Sequence, residues 1–213
     1  MKFKRLNSDY NRLETELNSN LKLFLDIVNT SNLDKLSAKQ KNTIIELSFL
    51  RVYIAWENFL HETMVDVLAY KQKSQKVSRV AVRDLSHIES LMAMGDYYPK
   101  FNYEKVIQRE DLFLKVKIYT QVLSSRKQMF DDMKRMRNMV AHEGRELNVN
   151  AFYSSVVTKV ASHLVLTQAE LQRLPGSFLK SRDKTKTTYY FEFYVNATVA
   201  AAKEIVQRFN SIK

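Results

Sequence analysis

The stretch AKQKNTIIELSFLRVYIAWENFLHETMVDVLAYKQ, residues 38 to 72, decides the fold. It contains neither Gly nor Pro, and Ile44, Leu47, Phe49, Val52, Tyr53, Trp56, Leu60, Met64 and Val67 fall along it at a helical period. Apolar residues so spaced form a stripe on a 3.6-residue helix, and a long helix gains most of its stability by burying that stripe. The segment is therefore expected to be the central core helix. Just before it, Ser37 and Gln40 have the spacing of a capping box, in which each side chain satisfies a backbone N–H of the other residue.

Upstream, Leu6, Tyr10, Leu13, Leu17, Leu21, Phe24 and Val28 recur at steps of three and four and predict a first amphipathic helix, broken over Thr30 to Leu36. Downstream, a basic turn from Lys71 to Lys76 leads into a shorter helical pattern carrying Val82, Leu85, Ile88 and Leu91. Gly95 to Phe101, with Pro99 and two Tyr, reads as a loop, and residues 103–122 read as one helix. Ser125 and Gln128 offer a second capping box, opening a helix that runs to Glu143 and stops at Gly144. The period returns over 150–173 and is ended by Pro175-Gly176. Lys180 to Lys186 is a basic loop. Thr187 to Val195 is rich in aromatic and β-branched residues and favours a short strand, before helix resumes over Asn196 to Phe209.

Composition agrees with an all-α chain. Three Gly and two Pro in 213 residues cannot supply the many special turns of a sandwich or barrel. We expect one helical domain over 1–213, with a core at about 38–170 and a C-terminal extension at 175–213. The absence of Cys excludes disulfides, thiolate zinc sites and a cysteine nucleophile. The start, Met1-Lys2-Phe3-Lys4-Arg5, has no apolar core behind it, and no run approaches the roughly 20 apolar residues of a spanning helix. A soluble, cytoplasmic protein without a membrane partner is expected. Lys plus Arg exceed Asp plus Glu by 34 to 23, and the resulting net charge of +11 attracts polyanions.

Several chemistries fail on spacing. His61-Glu62 opens like a zinc-protease motif, but the second His would fall at Val65, and His87 and His163 have no ligand-like neighbours. No metal and no cofactor is expected. Ser177 and Lys180 have the spacing of a serine-lysine pair without its supporting motifs. Glycines at 95, 144 and 176 alone cannot build a phosphate loop.

What remains is Met136-Arg137-Asn138-Met139-Val140-Ala141-His142-Glu143. At 100° per residue, Met129, Met133, Met136 and Val140 share one stripe, and Lys134, Arg137, Asn138 and His142 are expected roughly 135° away. Arg-Asn followed by His after three residues resembles the signature of the HEPN superfamily. In addition, Phe49 to Leu60, with Trp56-Glu57-Asn58-Phe59 at its centre, resembles an early core helix of several HEPN families, the RiboL-PSP group and phage-defence relatives among them. The order of elements is also similar, and the likeness covers about residues 38–170.

The resemblance implies a HEPN-type helical bundle in which two copies face one another and share a composite cleft. It implies an endoribonuclease, a toxin or a phage-defence effector, with RNA as substrate and an antitoxin or operon-encoded defence protein as partner. The residue types suit metal-independent cleavage, because RNA carries its own nucleophile in the 2′-OH. His142, whose side chain ordinarily titrates at about 6.5, exchanges protons near neutrality. Arg137 offers a permanently charged fork to phosphate oxygens. Asn138 donates to the phosphate or holds a catalytic side chain, Lys134 adds positive potential, and Glu57 orients Arg137 or serves as an ordinary surface carboxylate. Some HEPN toxins carry a Tyr two residues after the motif His, the target of a partner nucleotidyltransferase; Gly144 stands here. A non-catalytic HEPN module that binds RNA or a protein is the alternative.

Overall fold

The computed structural model describes residues 3–29, 35–69, 76–81, 84–93, 103–141, 175–182 and 187–212. Among them every regular element is a helix: α1 Lys4–Asn29, α2 Ala38–Ala69, α3 Leu85–Ala93, α4 Tyr103–Phe113, α5 Ile118–Ser124, α6 Lys127–Ala141, α7 Pro175–Leu179 and α8 Tyr190–Ser211. The only β-type pairings among these residues are two isolated bridges, Ser78 to Leu114 and Arg182 to Tyr189. The fold is all-α, and its described helices divide between two compact units: Met1–Thr15 with Ala55–Phe130 and Thr198–Lys213, and Glu16–Ile54 with Asp131–Ala197.

The central helix forms as its sequence predicts. Ser37 and Gln40 make the reciprocal capping box, the Ser37 N–H donating to Gln40 Oε1 at 2.8 Å and the Gln40 N–H to Ser37 Oγ at 3.2 Å. Phe49, Val52, Tyr53, Trp56, Leu60, Met64 and Val67 are buried. Ile44 is half-buried, and Leu47 departs further from the expected stripe. It is 52% exposed, because Ile45, Glu46, Ser48 and Phe49 take the buried directions around it. On α1, Leu6, Leu13, Leu17 and Phe24 are buried as their period requires.

In the first unit Trp56 is 2% exposed and lies parallel to Phe130 at 5.0 Å, with Phe59 stacked on it at 5.6 Å. Thr63 and Tyr119 share a buried hydroxyl hydrogen bond of 2.9 Å, and Tyr119 meets Phe209 edge-on at 5.4 Å. The terminal residues close on one another: the Phe3 N–H donates to Asn210 Oδ1 at 2.8 Å.

The expected single helix over 103–122 is two helices, broken between Phe113 and Ile118. The cause is Glu110, a fully buried carboxylate that accepts from the Tyr119 N–H at 2.6 Å, the Thr120 N–H at 2.7 Å and the Thr120 hydroxyl at 2.5 Å. It satisfies the free N–H groups at the start of α5, which a continuous helix would not have. Burial pushes the Glu110 pKa above its ordinary value, and the three donated bonds oppose that rise. The backbone at the break is satisfied by residues 77–79, through Arg79 N–H to Phe113 O at 2.7 Å and Lys115 N–H to Val77 O at 2.6 Å. Ser125 does not cap α6: its hydroxyl turns back to Val122 O at 2.9 Å, and α6 begins at Lys127.

The second unit is held by rings. Phe24 and Phe191 stack at 4.5 Å, and Phe49 meets Phe191 and Tyr194 edge-on at 6.3 and 6.0 Å. These contacts explain why no strand forms over Thr187 to Val195 as expected. Phe191, Tyr194, Val195 and Thr198 all bury on one side of a helix that starts at Tyr190. The tertiary packing overrides the β-propensity of the individual residues. Pro175-Gly176 likewise opens the short helix α7, with Pro at its first position, where a missing N–H costs nothing. The Gly176 N–H donates to Glu46 Oε1 at 2.9 Å, and Asn42 Nδ2 donates to Ser177 Oγ at 3.2 Å. A Cβ on Gly176 would sit 2.7 Å from Asn42 O, a backbone atom. The helix expected over 150–173 and the loop over 95–101 lie outside the described residues.

Truncating Trp56 to Ala removes two ring partners and leaves a large cavity. The expected cost is about 3–5 kcal/mol, read as a fall in the urea midpoint of the folded protein. A loss below about 1 kcal/mol would show that the surrounding rings close the gap.

Candidate functional site

Helix α6 carries the sequence motif, and its burial pattern differs from the expected stripe. Phe130, Met133 and Met136 are buried, together with Asp132, while Met129 and Val140 are half-buried. The inward direction of Phe130 sets that of the motif arginine. Seven residues at 100° each bring Arg137 to within about 20° of Phe130 around the helix axis, two turns further on. Arg137 therefore leaves α6 beside the buried flank and is half-buried, not displayed on an open cationic face.

Its guanidinium is held in place. Arg137 Nη1 donates to Asn138 Oδ1 at 3.0 Å, and Nε is buried with no acceptor among the described residues. Among the described residues no carboxylate pairs with Arg137. Two of the predicted site residues are thus brought together, and the pairing is one that fixes the direction of the fork without cancelling its charge. Lys134, also half-buried, precedes Arg137 by one turn of the same helix. Glu57 is half-buried on α2, in the other compact unit, and its expected support of Arg137 stays an expectation. His142 is the residue directly after the last described position of α6 and, with Glu143, Gly144 and Glu146, lies outside the described residues.

Sequence reasoning passes over Asp132, which is 8% exposed on the buried side of α6. The Tyr194 hydroxyl is driven well above its ordinary range, first by burial and then by the negative charge of Asp132. The signal for it is a carboxylate between Phe130 and Met133, where the apolar period leaves no room for a solvated charge. A second overlooked group is Arg109, fully buried on α4. His61, which fails as half of a zinc motif, is half-buried, and its pKa is lowered first by that burial and then by the Arg109 charge. It is therefore kept neutral at physiological pH.

No group of three or more His, Asp or Glu among the described residues is placed to hold a metal ion, and no described helix is long and apolar enough to cross a membrane. No protein-family model matches this chain, and no curated protein or solved structure does.

Asn138→Ala removes the acceptor that fixes Arg137. An anion that uses the fork should then bind roughly 2- to 10-fold more weakly, the worth of one hydrogen bond, with the urea midpoint little changed. Fluorescence anisotropy with a labelled, uncleavable RNA at low salt measures this. Equal affinity in the parent and the variant would show that the Arg137–Asn138 bond positions nothing.

Proposed function

We propose that the protein is a metal-independent endoribonuclease of HEPN type, in which Arg137, Asn138 and His142 act on the scissile phosphate. The reading is carried by the half-buried Arg137 guanidinium, fixed by Asn138 and paired with no carboxylate among the described residues. A positive fork kept in one direction and left unneutralised suits a phosphorane, whose equatorial oxygens gather charge in the transition state. The net charge of +11 supplies the field that brings RNA to it.

In this proposal the His142 imidazole takes the proton from the 2′-OH or gives one to the departing 5′ oxygen. Arg137 stabilises the crowded phosphorus, and Lys134 deepens the positive potential. Proton transfer in both directions requires two imidazoles or one that cycles, and a two-fold homodimer supplies two. Glu57, Glu143 and Glu146 then offset the repulsion between the two basic motifs. RNA and a second copy of this chain are the proposed partners, with an antitoxin or defence protein as the regulator and the cytoplasm as the setting.

Purified protein incubated with total RNA in excess EDTA should yield fragments ending in 2′,3′-cyclic phosphate and 5′-OH. Arg137→Ala and His142→Ala should each lower the rate by at least about 100-fold while keeping the parent's circular dichroism. Fragments with 3′-OH and 5′-phosphate ends would overturn the mechanism. Tight RNA binding without any cleavage would identify a binding module instead. Light scattering should give a dimer, and full activity in a strict monomer would refute the shared site.

A further inference from the structure

At one end of the first unit, α1 and α2 meet through charges that the RNA chemistry does not use. Arg5, Asp9 and Arg12 lie one turn apart along α1; Glu62 and Asp66 lie one turn apart on α2. Arg5 Nη1 is 3.6 Å from Asp66 Oδ1, Arg12 Nη2 is 3.4 Å from Asp9 Oδ1, and Arg12 also bonds Glu62. The arginines are largely solvated, with 83% and 59% of their side chains exposed, whereas Asp9 and Asp66 retain 13% and 14%. Three carboxylates thus converge on two guanidiniums, with the acids on the inside and the screening on the outside.

Asp9 Oδ2 is buried and meets no donor among the described residues. Asp66 faces it from α2, paired with Arg5 one turn before Asp9; its charge and its side chain both raise Asp9, and it is itself an acceptor when ionised. Two ionised carboxylates cannot occupy this arrangement without repulsion and an orphaned lone pair, whereas a single proton between them converts the clash into an O–H···O hydrogen bond. We propose that Asp9 holds a proton in the native protein and donates it to Asp66, and that its loss as pH rises unfastens this end of α1 from α2.

The surrounding groups agree. Burial is the largest effect on Asp9 and pushes it from its ordinary 3.8 up to about 7; the Asp66 and Glu62 charges add to the rise and Arg12 opposes it. From α5, Tyr119 faces the same acids, and its hydroxyl is raised chiefly by burial and then by the charges of Glu110, Asp9 and Asp66, so it stays neutral across the range that matters. Linkage sets the sign of the pH dependence. An unfolded aspartate has lost its proton by about pH 5, whereas folded Asp9 keeps its proton until near neutrality. Between those limits the folded state binds more protons, so stability falls as pH rises and stops falling once Asp9 is ionised.

The test uses the full-length protein with ¹³C-labelled aspartate. The Asp9 carboxyl resonance should titrate near neutrality, and amide protection through residues 4–15 should fall by roughly tenfold between about pH 5 and about pH 8. Asp9→Asn supplies a permanent donor to Asp66, and its protection should be flat over the same range. In Asp66→Asn, the Asp9 resonance should move down by at least about one pH unit. If Asp9→Asn does not fold, the parent's titration and Asp66→Asn decide the matter. Titration of Asp9 near its ordinary value, or an unchanged pH dependence in Asp9→Asn, would overturn the proposal.

Discussion

The parallel stacking of Trp56 on Phe130 is the contact that anchors the start of α6. It fixes the first turn of α6 against α2 through two of the larger side chains in the molecule, both almost fully removed from water. Arg137 follows two turns later on the same helix, about 10 Å further along. Arg137 itself is half-buried. By helix geometry the core ring and the charged fork leave one helix within about 20° of each other.

A chain with so few Gly and Pro must end its helices by other means, and side-chain oxygen atoms serve that purpose here. Ser37 and Gln40 open α2. Asp84 opens α3, accepting from the His87 N–H and the Ser86 hydroxyl, and its carboxyl is held below its ordinary pKa first by the Ser86 bond and then by the His87 N–H. Glu110 opens α5 from within the core. These devices are specific in a way glycine is not: each depends on one oxygen reaching particular N–H groups, so each fixes a helix start to the residue.

Features encoded locally are legible in the sequence. The period of α1, the length of α2 and the Ser37–Gln40 box all involve residues within one or two turns, and the structure agrees with them. Expectation and structure part where a distant partner decides. Glu110 sits inside one helix and caps the next, and nothing local marks it as buried. Ser125 has the spacing of a cap but finds Val122 O closer. Thr187 to Val195 has strand-forming residues whose fate is settled by Phe24 and Phe49, more than a hundred positions away. At the site, the pairing of Arg137 with Asn138 follows from adjacency, while the enclosure of Arg137 requires knowing that Phe130 is inside. Asp132 and Arg109 are invisible for the same reason, since a sequence shows that a charge exists and not that it is buried.

Gly176 carries information of a different kind. Its missing side chain lets the start of α7 lie against the backbone of α2, while its N–H is taken by Glu46. Neither residue is on the motif helix, so their pairing records the architecture independently of the motif. A chain that kept the packing but lost Arg137 would still need glycine there and an acceptor at the position of Glu46. Kinship traced through Arg137 and His142 would miss such a chain. Kinship traced through this glycine and carboxylate would include it, and would separate descent of the scaffold from descent of the motif.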